Sequence, residues 1–182
     1  LEAGEIDFTQ VLSRDAAATL TRVRKLYQPG SSTAIFFLNT ERFPDPAVRR
    51  GIIASIDRYA LTRLCYSNPA GFVARGLLPP RMGSYADGVA TQPVDPAIFA
   101  GIESLKMLVI WGPRPYLPDP PAWAANVVQQ LGLLGVRVEV VQTEDPLNYQ
   151  AELRSGDYDL VLGGWNADSD EPADFLDALL HS

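Results

Sequence analysis

The sequence predicts an α/β fold, and three observations carry that reading. Apolar runs of strand length alternate with runs of helical period through the second half of the chain. Helix starts are marked by Asp-Pro, at Asp45-Pro46 and Asp145-Pro146. There Asp caps the helix, and Pro lacks only an N–H that the first turn leaves unpaired anyway. The strand at 33–39 is continuously apolar rather than alternating, the pattern of a strand covered on both faces.

Each element follows from local chemistry. Ser13 can cap a helix over 14–24, and Pro29-Gly30-Ser31-Ser32 is a turn signal ahead of the strand at 33–39. In the helix opened by Asp45-Pro46, Val48, Ile52, Ile56, Tyr59 and Leu64 recur at helical spacing and form its inner face. Residues 67–104, with Leu77-Leu78-Pro79-Pro80 and Asp95-Pro96, sustain no period and read as a long excursion with one short helix. A strand at 107–111 runs through a Pro-rich loop into a helix near 120–134, whose Trp123, Val127, Val128 and Leu131 share a face. In the next strand Val136, Val138 and Val140 face one way, Arg137 and Glu139 the other. Asp145-Pro146 opens a helix ending near Ser155-Gly156, a strand follows at 159–162, and Glu171-Pro172 opens the last helix. This order implies right-handed crossovers in one layered α/β unit over residues 1–182.

Composition narrows the function. At 182 residues, with 47% hydrophobic and 20% charged residues, the chain is long enough to bury a core. The net charge of -7 leaves no basic stripe for phosphates, so no nucleic acid partner is expected. The single Cys65 excludes an internal disulfide and reads as a buried thiol, while the lone His181 has no His or Cys companions. No cofactor and no metal are expected. No apolar run approaches the ~20 residues that span a bilayer. The chain opens on Leu1-Glu2-Ala3 without Met and reads as a piece of something longer.

Catalytic motifs are missing: there is no G-x-S-x-G, no phosphate-binding loop, and no histidine placed to serve as a base. Asp168, Asp170, Glu171 and Asp174 form an acidic cluster, which could serve a glycosidase or calcium. Asp170, Glu171 and Asp174 are better explained by the helix N-terminus that they precede. Asp168 differs, because Gly163-Gly164-Trp165-Asn166-Ala167-Asp168 follows a buried strand, and ligands of open α/β sheets collect beyond strand carboxyl ends. The glycines permit close backbone approach, Trp165 offers a flat apolar wall, and the Asp168 carboxylate suits an ammonium group. At the other strand end, Arg114 stands between Pro113 and Pro115. On spacing alone two readings of it stand: a guanidinium held for bidentate carboxylate recognition, or a surface arginine bonding neighbouring carbonyls.

Several segments together resemble a known family. They are Phe37-Leu38-Asn39-Thr40, the run from Phe43-Pro44-Asp45-Pro46 to Ile56-Asp57-Arg58, and Gly76-Leu77-Leu78-Pro79-Pro80. Leu134-Gly135-Val136-Arg137-Val138, Gly156-Asp157-Tyr158-Asp159 and Gly164-Trp165-Asn166-Ala167-Asp168 continue the match in order. The chain resembles the family 5 extracellular solute-binding proteins, the dipeptide, oligopeptide and nickel receptors of ABC importers. Arg114-Pro115-Tyr116-Leu117-Pro118 is similar to a stretch of the dipeptide receptors.

The resemblance implies the later lobe of a type II, hinged two-lobe periplasmic-binding-protein fold, with a mixed sheet flanked by helices and the first lobe missing. It also implies a receptor rather than an enzyme, in which Arg114 binds a peptide carboxylate and Asp168 its α-amino group, with Trp165, Tyr116 and Gly164 around them. The partners implied are a short peptide or similar small solute and a membrane permease, in a periplasmic or other extracytoplasmic location. Residues 81–104 depart from the family pattern, lacking its Lys- and Ala-rich helix. Three alternatives stand beside it: a sensing domain of a cytoplasmic transcriptional regulator, an enzyme using the acidic cluster, and a family member carrying nickel or haem.

Overall fold

A computed structural model describes residues 1–182 except 10, 11, 13, 27–29, 67–72, 80, 83–95, 144, 181 and 182. Ser13, Pro29, Pro80 and His181 therefore lie outside the described residues, as does the side chain of Cys65.

In chain order the elements are α1 (Arg14–Thr19), β1 (Ser32–Leu38), α2 (Pro46–Ala54), α3 (Arg58–Cys65), a 3₁₀ turn (Pro96–Phe99), β2 (Ser104–Ile110), α4 (Pro120–Leu133), β3 (Arg137–Thr143), α5 (Pro146–Ser155), β4 (Leu160–Asn166) and α6 (Ala173–Leu180). The strands form one mixed sheet in the order β1-β4-β2-β3. β2 runs parallel to both β3 and β4, while β1 is antiparallel to β4, from Ser32–Asn166 to Leu38–Leu160.

The main core lies on one face of the sheet. Leu105, Met107 and Val109 of β2 and Leu160 and Leu162 of β4 meet Ile52, Ile56 and Leu61 from the α2–α3 region and Trp123, Val127 and Leu131 of α4. Each of these fully buried aliphatic side chains contributes about 1.5–3 kcal/mol through its removal from water. A smaller cluster of Met82, Ala167 and Phe175 seats α6, with Leu77, Leu78, Trp165 and Leu179 around it. The Leu77-Leu78 segment thus packs on the far end of β4.

Helix starts follow the expected chemistry. Asp45 and Asp145 cap α2 and α5 with Pro at the first position, and Asp119-Pro120 repeats the device at α4. Four expectations are corrected. α1 stops at Thr19 rather than running to 24, because the Glu2 carboxylate takes the N–H groups of Thr21 (2.6 Å) and Arg22 (2.8 Å). The single helix after Asp45 is two, since Asp57 caps a fresh start by accepting from the Ala60 N–H; Tyr59 and Leu64 are consequently exposed. β1 is an edge strand and is mostly half-buried, with Thr33 alone fully so. Finally, β4 extends to Asn166, so the Gly-Gly-Trp run lies within the strand and not after it.

Candidate functional site

The site grows from a divergence in the sheet. β2 and β4 pair from Met107–Leu160 to Val109–Leu162, and there their register ends. β4 continues to Asn166 against β1, while Trp111 stays with β3 through its N–H to the Thr143 carbonyl (2.8 Å). Gly112, at φ +116°, then turns the chain away in a conformation that side chains rarely adopt. The loops after β2 and after β4 therefore leave the same sheet edge from neighbouring parallel strands, the usual place for a ligand in an open α/β sheet.

The loop after β2 is a tight hairpin. Arg114 and Leu117 exchange both backbone hydrogen bonds, at 2.9 and 3.0 Å, with Pro115 and Tyr116 at the tip. Pro115 sets φ for the first corner of the turn, and Leu117 is fully buried. The Tyr116 ring lies on Gly164: a Cβ there would sit 2.5 Å from the Tyr116 Cδ2 and 2.4 Å from the Thr33 carbonyl oxygen. This contact joins the two loop systems. It also corrects the expectation for the glycines, because the space they leave is filled by the protein's own rings. Gly163 faces Phe37 and the Tyr149 hydroxyl, at 3.4 and 3.5 Å from the corresponding Cβ position.

Arg114 is half-buried, and its Nη1 donates to the Pro113 carbonyl at 2.9 Å. That is the bond of the surface-arginine reading, but it occupies only one of five N–H donors. Asp168 is exposed and its carboxylate makes no hydrogen bond or ion pair among the described residues. With Trp165 it opens onto a recess of ≈ 250 Å³ whose other wall is α6, including Asp174 and Asp177. Two other carboxylates of the acidic cluster have partners. Asp170 pairs with Arg81 at 3.3 Å, and Asp174 accepts the Ser169 N–H at 2.5 Å.

Two tyrosines that sequence reasoning passed over, Tyr149 and Tyr66, belong here. Burial pushes the Tyr149 phenol up to about 12, with Tyr116 and Tyr158 adding to the effect and Arg114 opposing it. Burial likewise raises Tyr116, again against Arg114. Tyr66, at the C-terminal end of α3, donates its hydroxyl to the Tyr116 carbonyl. A larger recess of ≈ 440 Å³ lies at the opposite edge of the sheet, and both basic side chains that line it are paired: Arg42 with Asp159 at 3.2 Å, and Lys106 with Asp157 at 2.6 Å. Among the described residues no group of three or more His, Cys, Asp or Glu could hold a metal ion, and no helix is long and apolar enough to cross a membrane.

The sequence profile described as "Bacterial extracellular solute-binding proteins, family 5 Middle" matches residues 1–182. The chain belongs to this family. It is 30% identical over 197 aligned residues to the peptide transport periplasmic protein SapA of Salmonella typhimurium, covering 99% of this chain and 35% of the relative. It is 26% identical to the dipeptide-binding protein of Escherichia coli, covering 93% and 35%, and 27% identical to heme-binding protein A of Haemophilus influenzae, covering 100% and 36%. The crystal structure of a Pseudoalteromonas dipeptide binding protein in complex with Met-Leu shares the fold at a TM-score of 0.73 and 21% identity, over 89% of this chain and 34% of that one. This family 5 chain thus spans about a third of the length of the relatives it matches, and the mixed sheet with flanking helices is the fold of periplasmic binding proteins.

Proposed function

We propose that the protein containing this lobe is a peptide receptor of an ABC-type importer, working outside the cytoplasm and delivering its ligand to a membrane permease without chemistry. Short peptides are held by their charged ends, the carboxylate by Arg114 and the α-ammonium by Asp168. Trp165 and Tyr116 form apolar walls, and Gly164 lets the Tyr116 ring close against β4. The first lobe, elsewhere in the same chain, closes over the ligand. The observation that carries this reading is the seating of Tyr116 on Gly164, which brings the loop bearing Arg114 beside a strand leading to Asp168, whose carboxylate has no partner among the described residues. Relatives named for peptide transport and dipeptide binding support the ligand class.

Calorimetry of the full-length protein with dipeptides and tripeptides tests it. Binding that falls at least ~10-fold in Arg114→Ala and in Asp168→Ala is the expected result, each charged hydrogen bond being worth ~1.5–3 kcal/mol. Tight binding of haem or a nickel complex, indifferent to both substitutions, would replace the peptide reading.

A further inference from the structure

The hairpin that carries Arg114 is pinned at three places. Leu117 is buried at its base, the Tyr116 ring rests on Gly164, and the Tyr116 carbonyl receives the hydroxyl of Tyr66 from α3. The third pin is the informative one. The hairpin's own backbone pair uses Arg114 and Leu117 and leaves the Tyr116 carbonyl without a partner inside the turn. Tyr66 is itself immobilised, with its ring edge-on to Trp123 at 6.1 Å and 88°. Trp123 is buried in the core at the start of α4. A rigid path therefore runs from the core, through Tyr66, to the tip of the four-residue turn that Arg114 opens.

We infer that Tyr66 is a positioning residue for ligand recognition: its hydroxyl fixes the tilt of the Arg114–Leu117 hairpin and so aims the guanidinium at the ligand's carboxylate. The role rests on the proposed reading of Arg114 as the carboxylate ligand. The physical reason is angular. A bidentate guanidinium–carboxylate pair needs both N–H bonds aligned, and a turn pinned at two points can rock about the line joining them. Removing the hydroxyl leaves the ring packed on Trp123 and the fold intact, and frees that one motion.

The test uses the full-length protein and peptides of two to four residues, alanyl and methionyl-leucyl, each as the free acid and as the C-terminal amide. The readout is the ratio of the two affinities, which reports the carboxylate contact and is insensitive to a general loosening. In Tyr66→Phe the preference for the acid is expected to fall about 5- to 10-fold, the worth of one hydrogen bond, with affinity for the amide unchanged. An unchanged preference, or equal weakening of acid and amide, overturns the positioning role. Arg114→Ala separates the two levels. If it abolishes the preference while Tyr66→Phe does not, Arg114 stands as the ligand and Tyr66 is only structural. A preference that survives Arg114→Ala, or the absence of any peptide binding, removes the carboxylate reading and the role of Tyr66 with it.

Discussion

Adjacent residues of a strand face opposite sides of a sheet, and Gly163 and Gly164 accordingly receive rings from opposite directions: Phe37 and Tyr149 on one, Tyr116 on the other. The dipeptide was legible as a point of close approach. What approaches was not, because Tyr116 and Tyr149 are brought there by folding and not by proximity along the chain. Tyr149 gives this packing a titratable signature. Its phenol is raised to about 12 by burial from an ordinary value of 10.0, so the folded state holds its proton where the unfolded state has released it. The contribution to stability is complete below pH 10 and is lost as pH rises towards 12. Tyr149→Phe is expected to flatten part of that alkaline loss, with Tyr116 supplying part of the remainder. Urea midpoints at intervals from pH 9 to 12 measure it, and identical slopes in the two proteins would place Tyr149 in water.

At the scale of elements, the legible features were those with short-range causes. Asp-Pro pairs cap α2 and α5 where expected, and Gly156 ends α5 in the left-handed conformation at φ 68°. The course of β1 was harder, because its partner is the last strand, and nothing between residues 32 and 166 announces that pairing. One side chain at the end of β1 secures it. The Asn39 amide donates to the carbonyls of Gly156 and Tyr158, both at 3.0 Å, and its oxygen accepts from the N–H groups of Glu41 and Arg42 at 3.0 and 3.4 Å. Asn39 thereby clamps the exit of β1 to the entry of β4. Asn39→Ala should cost about 2 kcal/mol, since four backbone groups lose a partner and those near the surface recover water. Asn39→Asp keeps the two acceptor bonds but sets an acceptor-only carboxylate oxygen against the carbonyls of Gly156 and Tyr158, so its midpoint in urea should fall no higher than that of Asn39→Ala. A neutral alanine variant would show that the ladder alone holds β1 in place.

For the whole molecule, the placement of the proposed site at an open edge decides how it can work. The divergence of β2 from β4 exposes the ends of both strands, with Arg114 half-buried and Asp168 exposed. In that setting each charged contact with a ligand competes with water and is worth ~0–1 kcal/mol. Enclosed by a second lobe in a hinged closure, the same contacts rise to ~1.5–3 kcal/mol. The difference is about 2 kcal/mol for each end of a zwitterion, or roughly 1,000-fold in affinity for the pair. On the proposed reading, the 182-residue chain by itself is therefore expected to bind any peptide of the full-length protein roughly 1,000-fold more weakly, at about millimolar levels if the parent binds near 1 μM. Calorimetry of one peptide against both proteins measures the ratio directly. A lobe that retains affinity within tenfold would mean that its own surface already excludes water from both charges, which an exposed Asp168 contradicts. The proposed enclosing lobe would then contribute little to capture.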